Sequence, residues 1–236
     1  KNPAHEKRVA SLARKAGFRQ VSVSHEVMPL IKIVGRGQTS VVDAYLTPIL
    51  MAYINTVKKF TGHIRLEFMQ SSGGITEAHA FTGKDAIMSG PAGGGIGTAA
   101  VARLNKLHES IGFDMGGTST DVSRFGGTYE KVFEMETGGI QFQAPSLNVN
   151  TVAAGGGSLL WFDGQKFRVG PESAGAHPGP ACYGRGGPLA LTDANLLLGR
   201  IIPDYFPFTF GRTGEQSLDK KITRRMFEKL TDTINK

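Results

Sequence analysis

Asp114-Met115-Gly116-Gly117-Thr118-Ser119-Thr120-Asp121-Val122 decides the reading of this chain. It follows Ser110-Ile111-Gly112-Phe113, a short apolar run with the character of a strand. Two consecutive glycines then ask for a tight turn, since they reach backbone angles closed to residues with a Cβ. Thr120 to Phe125 alternates well enough to be the return strand. The predicted hairpin offers backbone N–H groups and the hydroxyls of Thr118, Ser119 and Thr120 at its tip, with Asp114 and Asp121 on its flanks. Donors gathered on a glycine turn make a concavity for anions, phosphates above all. Carboxylates beside a phosphate suit Mg²⁺, which keeps several waters and takes one or two protein oxygens. An ordinary Gly-Gly hairpin with hydroxyls capping the turn is the plain alternative. The nine-residue combination favours nucleotide phosphate over it.

The 236 residues are 40% hydrophobic and 20% charged, the balance of a globular chain of one or two domains with a real core. Its 32 glycines bunch instead of repeating, which predicts many tight turns and close backbone approaches. The single cysteine, Cys182, excludes an internal disulfide and a cysteine-based zinc site and fits a reducing compartment. No apolar stretch approaches the ~20 residues of a membrane span, and there is no secretory signal. A cytoplasmic protein without a membrane partner is therefore expected. The net charge of +7 invites a nucleic-acid partner, but the basic residues are spread along the chain, so none is expected. Lys1 falls inside a predicted helix with no initiator methionine, and the chain is expected to be an internal piece of a longer protein.

Before the hairpin, His5 to Ala16 reads as a helix stopped by Gly17, and Arg19 to Ser24 alternates like a strand. Thr39 to Phe60 is a long amphipathic helix with Val42, Tyr45, Leu46, Ile49, Tyr53 and Val57 at core spacing. Ser40 and Asp43 resemble a capping box, and Pro48 is expected to kink or divide the helix. Ile64 to Met69 is a further strand that turns at Ser71-Ser72-Gly73-Gly74, and helix then strand, twice over, argues an α/β layer. The small residues from Ser89 lead into a helix over about Gly94–Leu107. Such an entry either holds an anion on its N–H groups or lets the helix pack tightly, and both readings stand. Its spacing is not that of a P-loop, and a domain junction is expected near residues 90–105.

After the hairpin, Thr151 to Ser158 is a second glycine loop, and Leu159 to Val169 a hairpin turning at Asp163-Gly164. Trp161 is expected in the core, and so is Cys182, which has no base in view. Gly170 to Gly187 is a Pro/Gly loop long enough to be functional. Thr192 is the expected N-cap of a helix ending at Gly199. Leu218, Ile222, Met226, Leu230 and Ile234 form one stripe of a terminal helix.

Four blocks together carry a family resemblance: Ser89–Gly94, Phe113–Val122, Asn150–Ser158 and Val169–Tyr183. With Thr192–Arg200, they are similar to the hydantoinase A/oxoprolinase family over roughly residues 8–215. Asp43-Ala44-Tyr45-Leu46-Thr47-Pro48 and Asn150-Thr151-Val152-Ala153-Ala154 lean toward its ATP-dependent, 5-oxoproline-opening branch. Asn148 departs from the family, whose members carry Asp at that place. The resemblance implies an α/β fold of the actin-like ATPase type, shared by sugar kinases and heat-shock proteins and ribonuclease H-like, with two related domains closing on ATP. Residues 1–105 would be the latter part of the first domain and 106–236 the start of the second, which carries its phosphate hairpin.

The implied reaction couples ATP hydrolysis to opening of the 5-oxo-L-proline lactam, giving L-glutamate. A lactam is a poor electrophile, and phosphorylating its carbonyl oxygen activates the carbon. Phosphoryl transfer needs mainly positioning and charge neutralisation. Gly116, Gly117, Thr118, Ser119 and Thr120 would hold phosphate, while Asp114 and Asp121 would bind Mg²⁺ through water or orient the nucleophile. The plain reading of Asp121 is a turn-capping carboxylate. Gly156, Gly157, Ser158 and His177 are weaker candidates for the substrate side, His177 also reading as a plain loop residue. Partners implied are the small lactam and either the remainder of the same polypeptide or a hydantoinase B-type subunit, with a homo-oligomer left open. The rivals are a hydantoinase or ketone-carboxylase relative with another substrate, and an actin- or chaperone-like ATP switch.

Overall fold

A computed structural model describes residues 2–137 and 139–235. In chain order it begins with α1 (Ala4–Lys15), α2 (Ser24–Val27) and the long α3 (Ile33–Thr61). The short strands β1 (Glu67–Met69) and β2 (Ile75–Glu77) lead to α4 (Gly83–Ala86) and α5 (Ser89–Leu104). Next come β3 (Ser110–Met115), β4 (Thr120–Phe125), β5 (Lys131–Thr137), β6 (Ile140–Leu147) and β7 (Val149–Val152). Then follow β8 (Ser158–Phe162), β9 (Phe167–Ser173), α6 (Leu191–Leu197) and α7 (Lys220–Ile234). The result is mixed α/β. Strands β1 and β2, β5 and β6, and β8 and β9 pair antiparallel, and a three-stranded sheet runs in the order β3-β4-β7. Among the described residues no helix is long and apolar enough to cross a membrane.

The fold divides into two compact units. Residues up to Gly112, with Ser123–Val149, make the first, and Phe113–Val122, with Asn150 onward, make the second. The chain thus passes between units three times, where a single junction near residue 105 is expected from the sequence. Residues 90–105 lie wholly within the first unit.

In the first unit α3 starts at Ile33, six residues before the predicted Thr39, and runs through Pro48 unbroken. Ser40 and Asp43 are consequently interior residues and form no cap. Ser40 Oγ donates to the Arg36 carbonyl, and buried Asp43 accepts from Ser22 Oγ at 2.6 Å and from the Lys84 amide at 3.2 Å. The buried face of α3 matches the predicted one only in part, with Val42, Leu46 and Val57 half-buried. Thr39, Asp43 and Ile54 are buried, and Leu50 and Met51 join Ile54 against Ala78 and Phe81. Tyr45, Ile49 and Tyr53 are 72%, 61% and 60% exposed. The predicted strand Arg19–Ser24 has no ladder partner. It runs extended into α2, held by side chains such as Ser22, because a strand without a neighbour has nowhere to place its amides.

Helix α5 begins at Ser89, so the glycines from Gly90 to Gly97 sit inside it and not ahead of it. Ala92, Gly95, Ala99 and Ala102 form its buried face, with Ala99 and Ala102 against Phe125. Packing accounts for Gly95, whose added Cβ would meet Leu147 at 3.5 Å, but not for Gly90, Gly93 and Gly97, where it would meet nothing within 4 Å.

In the second unit β8 and β9 turn at Asp163-Gly164 as expected, with Gly164 at a φ of 95°. Trp161 is not core: it is 43% exposed, with Nε1 donating to the Gly170 carbonyl. The predicted loop from Gly170 is shorter, since β9 runs to Ser173 and a 3₁₀ turn covers Ala181–Tyr183. Cys182, Leu196 and Leu218 make this unit's core. Beneath them lies fully buried Asp193, which accepts from the amides of Ala181, Cys182 and Ala190 and from Thr223 Oγ1 on α7. One carboxylate therefore ties the 3₁₀ turn to α6 and α7.

Candidate phosphate-binding site

Strand β3 ends at Met115 and β4 starts at Thr120, so residues 116–119 must reverse the chain. The Gly116 amide donates to the Ser119 carbonyl at 2.8 Å and closes the turn. The expected reason for the two glycines does not hold, because neither Gly116 nor Gly117 has a left-handed φ. What the turn requires is room for its neighbour.

That neighbour is the second glycine loop. The Gly156 amide donates to the Gly116 carbonyl at 2.9 Å and the Gly157 amide to the Gly117 carbonyl at 2.6 Å. A Cβ on Gly155 would lie 2.7 Å from the Gly117 carbonyl and the Thr118 nitrogen, and one on Gly157 would lie 2.9 Å from Gly117 O. Side chains do not fit at such distances. Ser158 Oγ accepts from the Gly155 amide at 2.9 Å, and both the amide and the hydroxyl of Thr192 donate to the Gly156 carbonyl at 2.8 Å. Thr192 therefore grips the loop from α6 instead of capping that helix. Ala190 occupies the cap position.

This support decides where the turn's donors point. A trans peptide is planar, with its N–H opposite its C=O. With the Gly116 and Gly117 carbonyls engaged by the glycine loop, the N–H groups of Gly117 and Thr118 face away from it. Among the described residues, neither they, nor the Ser119 amide, nor the hydroxyls of Thr118 and Ser119, make a hydrogen bond. A Cβ on Gly117 would meet nothing within 4 Å. Successive unpaired amides on an open turn are the donor set that holds a phosphate oxygen.

Of the predicted site residues, Gly116, Gly117, Thr118 and Ser119 form the turn itself. Asp114 is exposed on β3, two residues before the bond that closes the turn. Asp121 is half-buried two residues after that bond, and its Oδ1 accepts from Thr151 Oγ1 at 2.6 Å, leaving Oδ2. Thr120 departs from expectation. It is buried, and its hydroxyl donates to the Ala154 carbonyl at 2.6 Å, so it anchors the turn and offers phosphate no donor. Gly156, Gly157 and Ser158 do come to the turn, but beneath it. Ser158 is only 1% exposed, and burial keeps it from any substrate. His177 is exposed and has no hydrogen bond to the turn. Burial first, and then the Asp193 carboxylate, push the Cys182 thiol far up, which makes it inert.

A phosphate chain with Mg²⁺ fits this donor set. Among the described residues no three His, Cys, Asp or Glu side chains gather as a metal cluster. Mg²⁺ held through water by one or two carboxylates beside phosphate oxygens needs no such cluster. Asp114 and the free oxygen of Asp121 would be the groups to hold it. Thr151 and Thr192 escaped sequence reasoning as parts of this assembly. The one signal lay in the predicted glycine loop itself, three glycines in a row, too many for a turn and natural for a backbone-on-backbone contact.

Two substitutions separate ligand from scaffold. Gly117→Ala enters open space and should leave the melting temperature unchanged while weakening nucleotide binding about tenfold by crowding the phosphate. Gly155→Ala should destabilise the unit by about 1–3 kcal/mol through overpacking. Calorimetry and thermal melting of both in the full-length protein check this, and undiminished affinity in Gly117→Ala would argue for a plain hairpin.

Comparison with known proteins places the chain. The hydantoinase/oxoprolinase family model matches residues 36–236. The 5-oxoprolinase of Dictyostelium discoideum is 50% identical over 98% of this chain, which covers 20% of that protein. A nucleotide-free acetone carboxylase structure matches 99% of this chain and 34% of its own, with a TM-score of 0.78 and 25% identity. The crystal structure of the ATP-dependent caprolactamase of Pseudomonas jessenii matches 99% of this chain and 35% of its own, with a TM-score of 0.69 and 31% identity. The chain spans about a fifth of the length of the curated relatives it matches. With most of its length matched by the family model and its fold shared with two ATP-dependent enzymes, the chain belongs to the hydantoinase/oxoprolinase family.

Proposed function

We propose that this chain is part of a longer enzyme that couples ATP hydrolysis to the opening of 5-oxo-L-proline, releasing L-glutamate. The observation that carries this is the turn at residues 116–119, whose unpaired amides lie in a chain half identical to a 5-oxoprolinase. In this reading the amides of Gly117, Thr118 and Ser119 hold a phosphate oxygen, and the hydroxyls of Thr118 and Ser119 add donors. Asp114 and Asp121 hold Mg²⁺ through water, and the metal with its nucleotide supplies an activated phosphoryl group. The chain's own work is positioning: the glycine loop stiffens the turn from beneath, so its donors are ordered before the ligand arrives. The same reading takes residues 1–105 as the latter part of a first actin-like ATPase domain and 106–236 as the start of a second, which carries this phosphate hairpin.

Caprolactamase and acetone carboxylase, by their names, act on a different lactam and on a ketone. Substrate choice is therefore the point to test. The full-length protein should release phosphate from ATP faster with 5-oxo-L-proline than with caprolactam, acetone or no addition. Equal stimulation by caprolactam or acetone would move the assignment to that branch. Hydrolysis indifferent to all three would favour a protein-driven ATP switch.

A further inference from the structure

We propose that the cleft at the start of α3 binds a small monocarboxylate that also carries an N–H donor, the class that holds amino acids and lactam acids. The cleft has a volume of about 740 Å³, the size of a small-molecule site, and all the residues around it belong to the first unit. Its floor is the first turn of a helix 29 residues long that has no side-chain cap and no acidic residue in that turn. Among the described residues, the amides of Ile33, Val34 and Gly35 make no hydrogen bond. Such amides attract one carboxylate or phosphate group. Lys32, just before them, is held at a φ of 62°, the kind of strained backbone that collects at ligand clamps.

The second observation comes from β6. Gln143 lines the cleft, is 9% exposed, and donates from Nε2 to Glu134 Oε1 at 3.1 Å. That bond fixes the amide's orientation and leaves Oε1 buried with no partner. A buried acceptor without a donor asks for one. Gly35 allows the arrangement, since a Cβ there would lie 2.9 Å from Gln143 Cδ. Glu134 and Glu136 also face the cleft, and Lys32 Nζ lies 3.4 Å from Glu134 Oε1. With Lys32 offsetting one of the two carboxylates, the cleft favours a ligand of single negative charge over a polyanionic phosphate chain, and an N–H donor is welcome beside them. Ile33, Val34 and Phe142 supply apolar wall for a small ring.

The test is calorimetric titration of the full-length protein, and its choice of 5-oxo-L-proline as probe rests on the proposed function. Alongside run 2-pyrrolidone, which has the N–H without the carboxylate, and cyclopentanecarboxylate, which has the carboxylate without the N–H. The first should bind about tenfold tighter than either of the others. Lys32→Ala should weaken both acids and leave 2-pyrrolidone unchanged. Gln143→Leu should erase the advantage of 5-oxo-L-proline over cyclopentanecarboxylate. Gln143 is buried, so melting curves accompany that variant, and Lys32→Ala, on an exposed side chain, decides the matter if the variant melts early. Equal binding of the three compounds, or wild-type binding in both variants, overturns the cleft. Lactam-stimulated ATP hydrolysis with such binding keeps the proposed function and rejects the cleft. The expected binding order without any lactam-dependent hydrolysis keeps the cleft and rejects the function.

Discussion

Asp114→Asn should lower ATP turnover by the full-length enzyme about a thousandfold while leaving its melting temperature where it was. The two halves of this expectation come from one observation. Asp114 is exposed and its carboxylate makes no hydrogen bond among the described residues, so the folded chain loses little when one oxygen becomes an amide. Its value would lie wholly in the ligand it faces. Phosphoryl transfer is governed by placing and neutralising charge, and an amide neither holds a metal's waters as a carboxylate does nor carries its charge. Asp121→Asn should cost less turnover and some stability, because one of its oxygens already receives Thr151 Oγ1. The measurement is phosphate release at saturating 5-oxo-L-proline with a melting curve for each variant. Wild-type turnover in Asp114→Asn would remove the residue from the site. A large drop in melting temperature would make it structural.

The hairpin was legible because its strands and turn are local. Ser110–Met115 and Thr120–Phe125 follow from alternation, and a glycine pair between two strands reverses the chain whatever its neighbours do. The reason for glycine was not legible. Conformational freedom is a property of one residue, but the glycines of this site answer to a contact between segments almost forty positions apart. Thr120 was misread for the same cause: a hydroxyl at a turn reads as a donor to ligand until Ala154 is seen to take it. Helix α3 shows a different limit. Tyr45, Ile49 and Tyr53 satisfy helical spacing alongside Val42, Leu46 and Val57 as well as Leu50 and Ile54 do, and spacing cannot tell which members of a broad apolar face are buried. The buried face is marked by Thr39 and Asp43, polar residues whose partners, Gln143 and Ser22, lie in other elements. The glycines of Gly90–Gly97 sit in a helix although each costs about 1 kcal/mol against alanine, a cost that the buried alanines Ala92, Ala99 and Ala102 of the same helix offset.

The 236-residue chain alone should bind Mg-ATP with a dissociation constant on the order of 1 mM or weaker, and show no 5-oxo-L-proline-dependent hydrolysis. It holds one Asp-Met-Gly-Gly-Thr-Ser-Thr-Asp stretch and no second copy. If the nucleotide is held between two jaws, one turn of residues 116–119 engages a single phosphate group and leaves the others in water. Ordering a triphosphate, a metal and its waters costs several kcal/mol, and the few hydrogen bonds of one turn recover about that much. Little surplus remains for affinity. The fold itself should persist, since each unit has its own buried cluster, around Ile54 and Phe81 in the first and around Cys182 and Leu196 in the second. Circular dichroism and a cooperative melt establish folding before the titration is read. Mg-ATP is then titrated by calorimetry, and phosphate release is followed with and without 5-oxo-L-proline. Micromolar binding, or hydrolysis that rises with the lactam, would mean that these residues already enclose a complete site and that the two-jaw reading is wrong. A hundredfold or greater gain in affinity when the same residues stand in the full-length protein would place the missing contacts in the sequence beyond them.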